Sequence, residues 1–138
     1  MDVIFSGSKN INGRKIHHIE MILNGLVPEK RKEFIIKSQT RRLSDRYIVG
    51  HEYSIQSKRT ARGIPGIKIH IDHKWKETRG IPITKEDAWA EGGYTPQEYE
   101  DLFERMYPGW KTRWAYVFHP VFTDHISLVN LKNYLKGV

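Results

Sequence analysis

The chain has no cysteine in its 138 residues. That excludes a disulfide framework and any cysteine-ligated metal site. It also fits a reducing compartment, so a cytoplasmic location is expected. No apolar run approaches the roughly 20 residues needed to span a bilayer, and no membrane role is expected. The opening Met1-Asp2-Val3-Ile4-Phe5 puts an acid where a signal peptide carries positive charge, and it lacks a long apolar region. There is no internal repeat and no low-complexity stretch. The seven histidines form no ligand set. His70 and His73 are three apart on an expected strand and face opposite sides. His17 and His18 are neighbours on an expected helix and do not readily face one metal. Neither a metal nor a cofactor is expected.

Acidic residues are outnumbered. The chain has 23 Lys/Arg against 16 Asp/Glu, a formal charge of +7 and a pI near 9.6. The imbalance is local: residues 37–79 hold eleven Lys/Arg against four Asp/Glu, a balance of +7, and residues 81–108 hold two against seven, a balance of −5. One cationic and one acidic face are expected. A basic surface favours polyanions, nucleic acid first among them, although many basic domains bind nothing charged. The length fits a single domain, 1–138, large enough to bury a core without staples.

Residues 1–13 mix Gly, Ser and Asn and read as a loose lead-in. Ile16, Ile19, Leu23 and Leu26 then fall at helical spacing. Gly25 is placed to close that helix as a left-handed cap, and Pro28 blocks its continuation. Residues 47–56 are rich in β-branched and aromatic side chains and predict a strand with a bulge at Gly50. Gly63, Pro65 and Gly66 make 58–66 a loop. Ile67, Ile69 and Ile71 alternate with polar residues, the period of a half-buried strand that Trp75 ends or extends. Thr84 caps a short helix with acids in its first turn, closed by Gly92-Gly93. Thr95-Pro96-Gln97-Glu98 is a capping box with proline at the first helical position. Tyr99, Leu102, Phe103 and Met106 form the apolar stripe of that helix, and Pro108-Gly109 ends it. Residues 114–118 read as a strand that Val121 and Phe122 extend, and Asp124 caps a last helix carrying Leu128, Leu131 and Leu135. This order predicts an α+β fold around a small β-barrel.

The run Lys37-Ser38-Gln39-Thr40-Arg41-Arg42 gathers an amine, a hydroxyl and two guanidiniums. Lys37 and Thr40 share a side in a turn and oppose each other in a strand. A neutral amine beside a hydroxyl activates it as a nucleophile, and arginines hold phosphate or carboxylate bidentately. A solvated basic turn accounts for the same residues. Lys58, Arg59 and Arg62 form a second basic cluster, read as a phosphate contact or as an exposed loop. Trp75, Trp89, Trp110 and Trp114 are core aromatics or base-stacking platforms, and Trp89 is the stacking candidate.

Two separated stretches together resemble one family. The Lys37–Arg42 run is similar to the Lys-x-x-Thr-x-Arg signature of ASCH domains. Ile83-Thr84-Lys85-Glu86-Asp87-Ala88-Trp89-Ala90-Glu91-Gly92-Gly93, followed by the capped helix and Trp114-Ala115-Tyr116-Val117-Phe118, resembles the family's second half in order and spacing. The resemblance covers 16–118 and leaves 119–138 as a C-terminal extension with its own helix. It implies a PUA-like β-barrel with flanking short helices, a cleft beside them, and RNA binding. Some members of similar fold are enzymes: nucleases, and a small amidohydrolase that deacetylates acetylcytidine nucleosides. The amidohydrolase's proposed catalytic Lys, Thr and distant Glu match Lys37, Thr40 and Glu91. Arg42 matches the signature arginine, so it is assigned to the cleft and its neighbour Arg41 to solvent. Two departures stand out. Ile35 occupies the family's usual glycine, and the segment around Pro28 resembles an insertion at the cleft's mouth.

Glu91 beside Lys37 would favour a charged amine, a phosphate or oxyanion partner. Work as a base would need burial to lower the amine's pKa. The leading expectation is an RNA- or nucleotide-binding module with a cationic cleft of Lys37, Thr40, Arg42 and Glu91. The alternative is a hydrolase using the same site on a modified nucleoside or on RNA. A third reading is a regulatory protein with a vestigial cleft.

Overall fold

The computed structural model describes residues 3–26, 35–57, 63–64 and 66–122. The elements run in the order β1 (Val3–Ile4), β2 (Ser8–Ile11), β3 (Arg14–His17), α1 (His18–Asn24), β4 (Gln39–Arg42), β5 (Glu52–Gln56), β6 (Ile67–Thr78), α2 (Lys85–Ala90), α3 (Pro96–Met106) and β7 (Thr112–Phe122). The fold is α+β. Five strands form one curled sheet, a half-barrel, in the order β1-β5-β6-β7-β4. The β1–β5 pair is parallel and the rest are antiparallel. β2 and β3 make a separate hairpin. Among the described residues no helix is long and apolar enough to cross a membrane.

The sheet is built on β6 and β7. Ile67, Ile69 and Ile71 are buried on alternate positions, as the sequence period requires. A bulge between Ile71 and His73 then lets β6 run on past Trp75 to Thr78, paired with β7 throughout. Pro120 is tolerated within β7 because β4 flanks that strand only between Trp114 and Val117, so β7 is an edge where the missing N–H falls. The main core joins Val3, Ile19, Ile22, Ile55, Ile69 and Phe118. A second cluster under α2 and α3 joins Ile83, Ala88, Tyr99, Phe103 and Trp110.

Local signals set the helix starts. The Thr84 side chain accepts from the Asp87 N–H at 3.1 Å. Thr95 and Glu98 form a reciprocal capping box, with Pro96 in the first turn of α3. Four expectations need correction. The lead-in is structured: β1 and β2 both lie within it. Ile16 belongs to β3, where it pairs with Lys9, so α1 starts only at His18. Gly25 ends that helix in right-handed geometry, φ −64°, and not as a left-handed cap. Gly50, φ +87°, sits in a turn before β5 instead of bulging a longer strand. The expected C-terminal helix, the segment around Pro28, and Lys58, Arg59 and Arg62 lie outside the described residues.

Candidate functional site

β1 and β4 are the two edges of the curled sheet, and a seam stays open between them. Arg42 on β4 spans it, its Nη2 donating to the Ile4 carbonyl on β1 at 3.0 Å. A cavity of about 250 Å³ lies at this seam, walled also by α1 and α3. Lys37, Thr40, Arg42 and Glu91 all line it.

Lys37 sits just before β4. Its N–H donates to the Met21 carbonyl of α1, and the next N–H, of Ser38, donates to the Ala90 carbonyl of α2. The residue is thereby pinned between two helices. Its buried Nζ donates to the Gln39 carbonyl at 2.8 Å, the Glu91 carbonyl at 2.6 Å and Glu91 Oε1 at 3.3 Å. Three acceptors engage three N–H donors, an arrangement that the ammonium form fills. Burial draws the amine's pKa below its ordinary value, and Glu91 opposes that shift. Glu91 caps the C-terminus of α2 and is equally buried. Burial alone would raise its pKa, but Lys37 and Arg41 outweigh it and hold the carboxylate below its usual range.

Strand alternation sorts the rest of the run. Thr40 and Arg42 share one face, and Arg42 Nε donates to Thr40 Oγ1 at 3.2 Å. Gln39 and Arg41 share the other, and Arg41 Nη1 donates to Gln39 Oε1 at 3.0 Å. Because the strand begins only at Gln39, Lys37 is not bound by that alternation and reaches the same cavity as Thr40.

Arg41 departs from expectation. It is 3% exposed, not solvated. Its Nε and Nη2 donate to the two oxygens of Glu77 at 2.9 Å each, and its Nη1 donates to Glu91 Oε2 at 2.8 Å. Glu77 also accepts from Arg113 Nε at 2.8 Å and Trp75 Nε1 at 2.7 Å. Burial would raise Glu77, but hydrogen bonds and charge from Arg41, joined by Arg113 and Trp75, hold it at about 2. Burial of the guanidinium is offset by its carboxylates: Glu77 and Glu91 accept from it, and Asp87 Oδ2 lies 3.6 Å from Nη2.

No family model, curated protein or solved structure matches the chain.

The cavity also contains residues that the sequence reading passed over. Phe5 lies beneath Arg42, with the guanidinium carbon 5.5 Å from the ring centroid. His18, the first residue of α1, places Nε2 2.9 Å from the Tyr94 hydroxyl. Burial first, then the charges of Lys37 and Arg42 with His17 beside it, pull His18 down to about 3. Burial, with Glu91 and Glu98, pushes Tyr94 up to about 12. Both are neutral in ordinary buffers. Their signal in the sequence was faint: a Gly-Ser lead-in and a tyrosine after two glycines. Ile35 packs where a Cβ on Gly93 would fall, 2.5 Å from its Cδ1. Trp89 is 54% exposed on α2 and does not line the cavity.

Chemically, the floor is a set of charges already matched to one another. Arg42 differs. No carboxylate among the described residues pairs with it, and it stands at the seam beside a threonine hydroxyl and over an aromatic ring. Among the described residues no cluster of three or more His, Asp or Glu could hold a metal ion.

Proposed function

We propose that the chain is a PUA-like, ASCH-type module that binds RNA or a nucleotide in the seam cleft. The observation that carries this reading is the guanidinium of Arg42, which pairs with no carboxylate among the described residues, at the mouth of an aromatic-walled cavity. A buried site with paired charges at its floor and one open cation at its rim suits a ligand with a planar polar body and an anionic group. The volume is that of one small ligand unit rather than an extended chain. The basic segment 37–79, with Lys58, Arg59 and Arg62, would supply further phosphate contacts, and Trp89 offers an exposed ring on which a neighbouring base could stack.

The test is affinity for short single-stranded RNAs across a salt series. Each phosphate neutralised should add about 0.7 to the logarithmic salt slope. Arg42→Ala should cost about tenfold, the scale of one charge-assisted contact. Affinity that ignores salt, or survives Arg42→Ala, would refute the reading. The hydrolase reading keeps one supporting observation, the burial that draws the Lys37 amine down beside Thr40 and Glu91. It requires turnover of acetylated nucleosides that Lys37→Ala and Thr40→Ala each abolish. The engaged donors of Lys37 favour binding over catalysis.

A further inference from the structure

The β2–β3 hairpin stands outside the curled sheet. Asn12 and Gly13 close it with φ +51° and +81°, the two positive angles of a type I′ turn. Its register assigns each side chain to a face, because directly paired residues point to the same side. Ser8 pairs with His17 and Asn10 with Lys15, so these four share one face. Lys9, Ile11, Arg14 and Ile16 share the other.

The two faces differ in what they touch. The Lys9 face is tied to the body of the fold. Lys9 Nζ donates to the Gly93 carbonyl and pairs with Glu98, and Arg14 Nη2 donates to Glu20 Oε1 on α1 at 2.9 Å. The Lys15 face is open. Asn10 and Lys15 are exposed, and the side chains of Ser8, Asn10, Lys15 and His17 make no hydrogen bond or ion pair with the described residues. Lys15 is the one cation of the hairpin without an ionic partner among the described residues.

The open face starts at the cleft. Ser8 lines the seam cavity, and it also lines a second groove, of about 480 Å³, which lies between β2 and α3 and takes in Asn10. From Ser8 to Asn10 is two residues of strand, about 7 Å. Lys15 stands across from Asn10 on β3, a strand that contributes no residue to the groove. From α3 the groove receives Glu98, Asp101 and Arg105. With Lys9 on Glu98 its own charges balance, so the groove itself holds no surplus for a phosphate. The surplus lies one strand further out, at Lys15.

We propose that the open face of the hairpin carries the chain of a bound oligonucleotide out of the cleft, with Ser8 and Asn10 bonding its sugar-phosphate backbone and Lys15 taking the phosphate of a neighbouring nucleotide. This rests on the nucleotide-binding reading above and adds that the ligand is a chain. A hydroxyl, an amide and an ammonium in a row suit the backbone, which positions a strand without specifying its sequence.

The experiment compares the best-bound ribonucleoside 5′-monophosphate with the 5′-phosphorylated di- and trinucleotides of the same base, each across a salt series. In the wild type the logarithmic salt slope should steepen by about 0.7 at the second or third nucleotide, the share of one phosphate. Lys15→Ala should abolish that step and leave the mononucleotide slope where it was, and Lys15→Arg should restore the step. Arg14→Ala makes the same charge change one residue away on the opposite face, and should keep the step. A slope that does not steepen with length, a step that survives Lys15→Ala, or a step lost equally in Arg14→Ala would overturn the proposal while leaving nucleotide binding in place. Absence of binding to the four monophosphates and to short RNA would remove both.

Discussion

Glu91→Gln tests the centre of the site. The carboxylate serves two buried cations: Oε1 accepts from Lys37 at 3.3 Å and Oε2 from Arg41 at 2.8 Å. Glutamine keeps the shape but turns one acceptor into a donor. The amide oxygen should face Arg41, the closer partner, and the NH2 then meets the ammonium head-on. Arg41 retains Glu77, and Lys37 retains two main-chain carbonyls. What is lost is the counter-charge of a buried ammonium. Breaking a buried pair costs about 3–5 kcal/mol, and the retained carbonyls place this case near the lower end. For a chain of this length that is a fall in Tm of about 10 °C. The loss has a pH signature. Burial already draws Lys37 below its usual value of 10.5 while Glu91 opposes it, so removing Glu91 draws it further down. Between the depressed folded pKa and the unfolded one, the unfolded state binds more protons, and stability rises with pH. The deficit of the variant should therefore shrink as pH climbs toward 10.5. Calorimetric melts of both proteins at neutral and alkaline pH would show this. A fall in Tm of less than about 2 °C, or a deficit that does not change with pH, would refute an ionised Lys37–Glu91 pair.

The remaining predictions concern the scaffold. Glu77 titrates at about 2 when folded, against 4.5 unperturbed, so its contribution is fully present above pH 4.5 and is lost as pH falls through about 2. Glu77→Gln should flatten the stability–pH curve in that window, read from denaturant titrations in acid; an unchanged slope would place the titration elsewhere. Thr95→Ala removes the Thr95 half of the capping box of α3 and should lower stability by about 1 kcal/mol without changing the affinity for any ligand of the cleft.

Features with a local cause were legible in the sequence. The Thr84 cap, the Thr95–Glu98 box and the alternation of Ile67, Ile69 and Ile71 are each written within a few residues, and each stands in the structure as read. What escaped depends on distant partners. Val3–Ile4 is a strand because it lies against Ile55 and Gln56, and nothing in its own residues announces that. Ile16 carried helical spacing but was taken by a hairpin with Lys9. The run from Lys37 to Arg42 marked a cleft, yet it could not say which arginine is buried. That depends on Glu77 and Glu91, which lie 36 and 50 positions further along the chain. His18 and Tyr94, 76 positions apart, carried no joint signal at all.

The charge network raises a question of purpose. Arg41, Arg113 and Glu91 are buried and Glu77 is half-buried, a placement that costs more desolvation than most ion pairs return, and apolar residues of similar volume often do as well or better for stability alone. Their placement supplies a reason. Arg41 leaves edge strand β4, meets Glu77 on β6 and Glu91 at the end of α2, while Arg113 on β7 ties Glu77 to Glu100 on α3 at 2.6 Å. A half-barrel with an open seam has little to fix its last edge strand, since β4 pairs on one side only. Apolar packing there would be non-directional and would tolerate a slip. A bidentate arginine between two carboxylates tolerates none, because either displacement strands a charge in the interior. The network thus sets the height of β4 against the helices. With β4 set, Thr40 and Arg42 point into the seam, and the same Glu91 that receives Arg41 also holds Lys37 at the cavity floor.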